Sequence, residues 1–136
     1  LLPIYSVDFE AENGIPTAIK RLDELFETAD GFMVSLAEHN GSYAAVFKNT
    51  IDWLSRVTMK IWREKPMLLM ATSPGSRGGA SVLQSASAYF PFMGANITDT
   101  FSLPSFYDNF KSGEINDKSL KANLLAKVDK FQTIIE

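Results

Sequence analysis

Cysteine is absent from this 136-residue chain, and histidine occurs once, as His39. Without thiols there is no disulfide framework, no thiolate metal site and no cysteine nucleophile. With one imidazole, a zinc site built from several histidines is excluded as well. Positive charge is also scarce: 13 Lys and Arg against 16 Asp and Glu leave a net charge of −3. No basic stripe is present to displace phosphate counterions, so no nucleic-acid partner is expected. No apolar run reaches the roughly 18 residues of a membrane helix, and nothing resembles a signal peptide, so a cytoplasmic protein is the default and no membrane partner is expected. Internal repeats and low-complexity linkers are missing too.

What is present is ordinary for a folded chain, with 46% hydrophobic and 21% charged residues. The length suits one domain over residues 1–136 with a core of its own. The most informative stretch is residues 37–53. It follows a short apolar run, Gly31-Phe32-Met33-Val34-Ser35-Leu36, passes a polar Gly-containing turn and enters a helix. Phe47, Ile51, Leu54 and Val57, with Val46, Thr50 and Trp53 beside them, recur at steps of three and four, the spacing of a broad apolar stripe. Lys48, Asp52 and Arg56 fall on one i,i+4 row, read as a solvated face with weak ion pairs. Strand, loop and helix make an α/β unit, and in open α/β sheets ligands gather at the carboxyl ends of strands.

Glu38-His39-Asn40-Gly41-Ser42, followed by Phe47-Lys48-Asn49-Thr50-Ile51-Asp52-Trp53, closely resembles the NADPH-dependent FMN reductases, flavodoxin-like enzymes whose usual signature there is Pro-Glu-Tyr-Asn. A second motif stands at the expected distance: Ser73-Pro74-Gly75-Ser76-Arg77-Gly78-Gly79 looks like the family's second flavin loop. The matches span about residues 2–106. Two positions depart from the pattern: Leu36-Ala37 stands where the family prefers Pro, and His39 replaces the usual Tyr. The family also opens with a strand and a Gly-Ser-x-Arg-like phosphate loop, whereas Leu1-Leu2-Pro3-Ile4-Tyr5 resembles the end of its second strand. The chain is therefore expected to start inside the fold, without the first strand and phosphate loop, and with one sheet edge left open.

The remaining segments follow in order. Residues 6–14 read as acidic and turn-rich. Pro16 suits the first helical position, where its missing N–H costs nothing, and Ile19, Leu22, Leu25 and Phe26 form the buried stripe of a helix ending near Gly31. Residues 57–64 read as a helix end and connector. The run Met67-Leu68-Leu69-Met70-Ala71-Thr72 lacks alternation, which marks a strand buried on both faces. Residues 73–79 can hold a planar ligand close to glycine backbone, with a helix N-terminus aimed at it, or can simply be turn residues. No charged residue occurs from Gly78 to Thr98, so the helix from Ala80 to about Phe90 is read either as a subunit interface carrying Tyr89, Phe90, Phe92 and Met93 or as deeply buried. Residues 96–101 read as the last strand. The aromatic segment 103–110 is a lid or plain packing. Asn116 or Asp117 caps a final helix whose stripe is Leu120, Leu124, Val128 and Phe131.

The pattern is a doubly wound parallel sheet in three α/β/α layers, with three strands and four helices. The family resemblance implies an NAD(P)H-dependent flavin reductase that binds FMN, takes hydride from NADPH and reduces a small-molecule acceptor such as a quinone or azo compound. It also implies a homodimer or homotetramer. Because the cofactor carries the chemistry, no catalytic acid, base or nucleophile is required. By resemblance, Glu38, His39, Asn40, Gly41 and Ser42 lie at one edge of the flavin, and Ser73, Pro74, Gly75, Gly78 and Gly79 around its other side. Glu38 could instead cap the following helix, His39 could be an exposed loop residue, and Arg77 is read as solvated rather than phosphate-binding. A flavodoxin-like binding module without catalysis and an electron-carrier flavodoxin are the alternative readings.

Overall fold

A computed structural model describes residues 2–136; Leu1, which opens the segment resembling a strand end, lies outside the described residues. Along the chain run α1 (Val7–Asn13), α2 (Thr17–Thr28), β1 (Phe32–His39), β2 (Ser42–Tyr43), α3 (Ala45–Val57) and β3 (Pro66–Thr72). They are followed by α4 (Ala80–Tyr89), a 3-10 turn (Phe90–Met93), β4 (Asn96–Leu103), α5 (Phe106–Asn109), β5 (Phe110–Lys111), β6 (Glu114–Ile115) and α6 (Lys118–Ile135).

The sheet has the order β2-β1-β3-β4. Its three long strands are the three expected and they run parallel; β2 is a short antiparallel return. Val34, Leu69 and Thr100 share one row across the sheet, and Ser35, Met70 and Phe101 the next. The first row faces the side on which α4 lies over β1 and β3; α6 lies on the other side, over β3 and β4. This is the three-layer arrangement read from the alternation of elements. β3, covered on both faces, buries Met67, Leu68, Leu69 and Ala71, as its unbroken apolar run requires. Each of the Met and Leu side chains contributes roughly 1.5–3 kcal/mol of burial, and Ala71 less.

β1 is different because α6 lies mainly over β3 and β4. Phe32 and Leu36 are buried, whereas Met33, Ser35 and Ala37 on the opposite face are exposed. Its outer edge pairs with β2 only at Glu38 and His39; over residues 32–37 no strand lies beside it among the described residues. This is the open edge expected from the sequence.

Several details differ from the sequence reading. Residues 7–13 form a helix rather than a turn-rich stretch, because Ser6 caps it: its Oγ accepts the Phe9 N–H at 3.1 Å. Pro16 sits one position earlier than expected, as the N-cap of α2. Leu25 is exposed on that helix while Ile19 is buried, so the stripe is narrower than the pattern suggested. In the connector after α3, Ile61 and Trp62 are core residues. The last parallel strand runs on to Leu103, and the aromatic segment after it folds into α5 and the β5–β6 hairpin. Asp117 caps α6, accepting the Leu120 N–H at 2.8 Å.

The charged row on α3 is solvated as expected. Lys48 Nζ pairs with Asp52 at 2.6 Å, but Arg56 reaches across to Glu10 at 2.9 Å instead of along its own helix.

Candidate functional site

Ala37 and Thr72 are register partners, so the chain leaves the ends of β1 and β3 side by side. Parallel strands fed through helices place both exits at the same end of the sheet. The two sequence motifs therefore become neighbours although some thirty residues separate them.

The first motif is a tight hairpin. Glu38 pairs with Tyr43 and His39 with Ser42, leaving only Asn40 and Gly41 as the turn. Both turn residues are left-handed, with φ of 51° and 75°, as a two-residue hairpin of matching twist requires. Glu38 and His39 are thus strand residues that alternate in direction. His39 is exposed, as is the turn.

Glu38 points toward α4. Its Oε2 accepts the backbone N–H of Val82 at 3.0 Å. Val82 is the third residue of that helix, where N–H groups have no partner within the helix. The alternative that Glu38 caps a helix holds, but the helix is α4 and not α3. The N-cap of α4 is Gly79, which has no side chain to offer. A residue distant in sequence supplies the acceptor instead.

The second motif, residues 73–79, has a buried and an exposed half. Gly78 and Gly79 are buried, with φ of 57° and 77°. A Cβ on Gly79 would stand 2.9 Å from the Cβ of Ala71 and 3.1 Å from the Thr72 carbonyl; one on Gly78 would stand 2.8 Å from the Pro104 nitrogen. Glycine is needed there because α4 starts hard against the sheet. Pro74, Gly75, Ser76 and Arg77 are exposed, and a Cβ on Gly75 would meet nothing within 4 Å.

Internal bonds consume this loop's acceptors. Ser73 Oγ accepts the Gly79 N–H at 3.0 Å, the Gly75 carbonyl accepts the Gly78 and Ser105 N–H groups at 3.2 and 2.9 Å, and the Ser73 carbonyl accepts that of Phe106 at 3.0 Å. The N–H groups of Gly75, Ser76 and Arg77 donate to no other group among the described residues. The loop presents a short row of free donors on an exposed, side-chain-poor backbone. Arg77 folds back along the helix, its Nη2 3.4 Å from Ser81 Oγ.

The bonds from Ser105 and Phe106 moor the aromatic segment to this loop. Phe106 and Phe110 stack at 5.1 Å and line an apolar hollow with Thr72, Leu103 and Leu124, while Tyr107 is exposed. Phe106 and Phe110 are therefore packing residues.

A groove of about 420 Å³ lies elsewhere, between α3 and the 3-10 turn, lined by Ile51, Met59, Tyr89 and Phe92 among others; it touches the hairpin only at Tyr43. Tyr43 was overlooked in the sequence, though its spacing of four from Phe47 is a signal of shared facing. Its ring lies parallel to Phe90 at 6.1 Å and 5.9 Å from Phe47, and burial raises the pKa of its hydroxyl. Of the four residues expected at an interface, Phe90 and Met93 are core residues, because the 3-10 turn rolls them inward; Tyr89 and Phe92 are 61% and 74% exposed.

The sequence pattern of the NADPH-dependent FMN reductases matches residues 1–108. A quinone reductase of Pseudomonas putida is 32% identical over 141 residues, covering 99% of this chain and 74% of the relative. The quinone reductase of Escherichia coli K12 is 28% identical over 142 residues with the same coverage. Among solved structures, a flavoenzyme NAD(P)H:(acceptor) oxidoreductase of Paracoccus denitrificans superposes with a TM-score of 0.75 at 28% identity, over 98% of this chain and 75% of that one. The chain belongs to the NADPH-dependent FMN reductase family. It is a flavodoxin-like oxidoreductase whose cofactors are FMN and NAD(P)H.

Proposed function

We propose that the chain is an NAD(P)H-dependent flavin reductase of the quinone-reductase type, moving hydride from NADPH to bound FMN and electrons on to a small acceptor such as a quinone or azo compound. The relatives named quinone reductase favour a quinone. Residues 1–136 serve as a single domain in this reading.

The observation that carries the site is the row of unpaired N–H donors at Gly75, Ser76 and Arg77, beside the exposed hairpin tip at Asn40-Gly41. A planar, acceptor-rich ring fits such a place, because Gly75 has no side chain and that of Arg77 folds back toward Ser81, leaving the donors open to close approach. Bound FMN supplies the redox chemistry. The residues bind and orient it. His39, Asn40, Gly41 and Ser42 would line one edge, with Glu38 contributing backbone while its carboxylate holds α4. Ser73, Pro74 and Gly75, with the N–H groups of Ser76 and Arg77, would line the other, and Gly78 and Gly79 would fix the loop from below. No side chain is required as acid, base or nucleophile.

We also infer a homodimer or homotetramer. The support is α4, which lacks charge altogether, with exposed Tyr89 and Phe92 at its end and exposed Met59 across the groove. Exposed aromatics grouped in this way mark contact surfaces. A cytoplasmic location goes with the use of NADPH; no helix among the described residues is long and apolar enough to cross a membrane.

The test is the visible absorbance spectrum of the purified protein, followed by NADPH oxidation with and without a quinone. Flavin bands and quinone-dependent oxidation are expected. A protein that retains no flavin bands once FMN has been added and the unbound excess removed by gel filtration would sink the proposal.

A further inference from the structure

We infer that Glu38 is the positioning residue that ties the two halves of the flavin site together, through its carboxylate on the α4 N–H of Val82. The inference rests on the assignment of the hairpin and residues 73–79 to FMN.

Three observations carry it. First, the bond spans the two motifs: Glu38 lies two residues before the hairpin turn, and Val82 lies three residues after Gly79. Second, the β1–β3 ladder brings the two motifs side by side only as far as Ala37 and Thr72, and beyond it no other hydrogen bond among the described residues joins the hairpin to α4. The helix starts at a glycine with no side-chain cap, and the bonds that Ala80 and Leu83 make go to Arg77 and Gly79, within the same motif. Third, Glu38 has little freedom. Its backbone is locked in the β1–β2 ladder, and its side chain sits on the same strand face as buried Leu36. A carboxylate is also the favoured partner for a helix N-terminus.

The mechanical consequence is that the hairpin tip and the free N–H row are held at a fixed separation. A planar ligand touching both requires that separation to be set before it arrives, since ordering loops on binding weakens affinity. The Glu38 carboxylate thus acts on FMN through Val82 and the loop, not by touching it.

The experiment is titration of the full chain with FMN, read by quenching of flavin fluorescence, together with thermal unfolding and amide exchange over residues 73–82. Glu38→Ala is expected to weaken FMN binding by about tenfold and to speed exchange at Val82. Glu38→Gln keeps an acceptor oxygen in place and is expected to bind within about threefold of the parent protein. Glu38→Asp keeps the charge but withdraws it by one methylene, and is expected to fall between them; it serves also if the alanine variant does not fold.

A Glu38→Ala or Glu38→Asp protein that is less heat-stable yet binds FMN like the parent would overturn the inference, since the bond would then be only structural. A Glu38→Gln protein as weak as Glu38→Ala would overturn it too, because charge rather than the tie would matter. If the parent protein itself binds no FMN, the site assignment falls and this inference with it, an outcome distinct from the other two.

Discussion

Asn49 and Trp53, one turn apart on α3, both donate to a single carbonyl, that of Pro3, at 2.9 and 2.8 Å. Asn49 Oδ1 also accepts the Tyr5 N–H at 2.8 Å. The side-chain amide thus completes two hydrogen bonds to a strand-like segment that no sheet neighbour satisfies. Two conspicuous residues of the family-like motif prove to be structural fasteners for residues 3–5. Replacing Asn49 by Leu leaves the Tyr5 N–H without a partner and should cost about 2 kcal/mol in urea unfolding. Trp53→Phe should cost about 1–2 kcal/mol, and the two changes should not add, because they share one acceptor. Additive losses would show that the Pro3 carbonyl is not shared.

Gly79 and Gly75 offer a paired test within one loop. At Gly79, alanine brings both a positive φ and a Cβ 2.9 Å from that of Ala71, so Gly79→Ala should destabilise by about 2 kcal/mol or more. Bound flavin, read from its visible bands, should fall with it. At Gly75 the added methyl meets open space. Gly75→Ala should leave stability within about 1 kcal/mol of the parent. Equal losses at the two positions would contradict the packing argument.

Asp99 gives the fold an acid-sensitive fastener. The hydrogen bond from Lys127 chiefly lowers its pKa; burial works against this, and Lys130 and the Thr100 N–H reinforce it, leaving the carboxyl at about 2 rather than 3.8. Since the folded-state value lies below the unfolded one, the unfolded chain takes up the proton first. The stabilisation is complete above about pH 5, where both states are ionised, and is lost as pH falls through about 2. The stability gap between the parent and Asp99→Asn should therefore hold steady from neutral pH to about pH 5 and shrink below that. A gap unchanged down to about pH 2.5 would count against this coupling.

Phe92 tests the assembly. With 74% of its surface exposed at the rim of the α3 groove, Phe92→Glu should convert an oligomer to monomer in sedimentation velocity, without loss of thermal stability beyond that of dissociation. A parent protein that sediments as a monomer would remove the interface.

The strands were legible in the sequence because their signal is local. Residues 67–72 form an unbroken apolar run that only a doubly covered strand needs, and residues 32–36 follow a glycine and precede a turn. Both motifs were legible as well, since their glycines and turn residues mark backbone that side chains cannot enter. Residues 7–13 were misread because the deciding feature is one hydroxyl, Ser6, capping a helix with no buried residue. The sequence reading of 89–93 treated four aromatic and apolar residues alike; the change from α to 3-10 winding at Phe90 turned two of them inward.

Glu38 marks the boundary between the two kinds of knowledge. Residue order alone determined that this is a doubly wound α/β chain with two turn-rich loops, because periodicity and glycine placement act over a few residues. Which helix Glu38 would cap depended on the register of β1 against β3, which brings Glu38 to Val82 across 44 positions of chain. That register is set by rows of buried side chains meeting between layers, a property no local pattern contains.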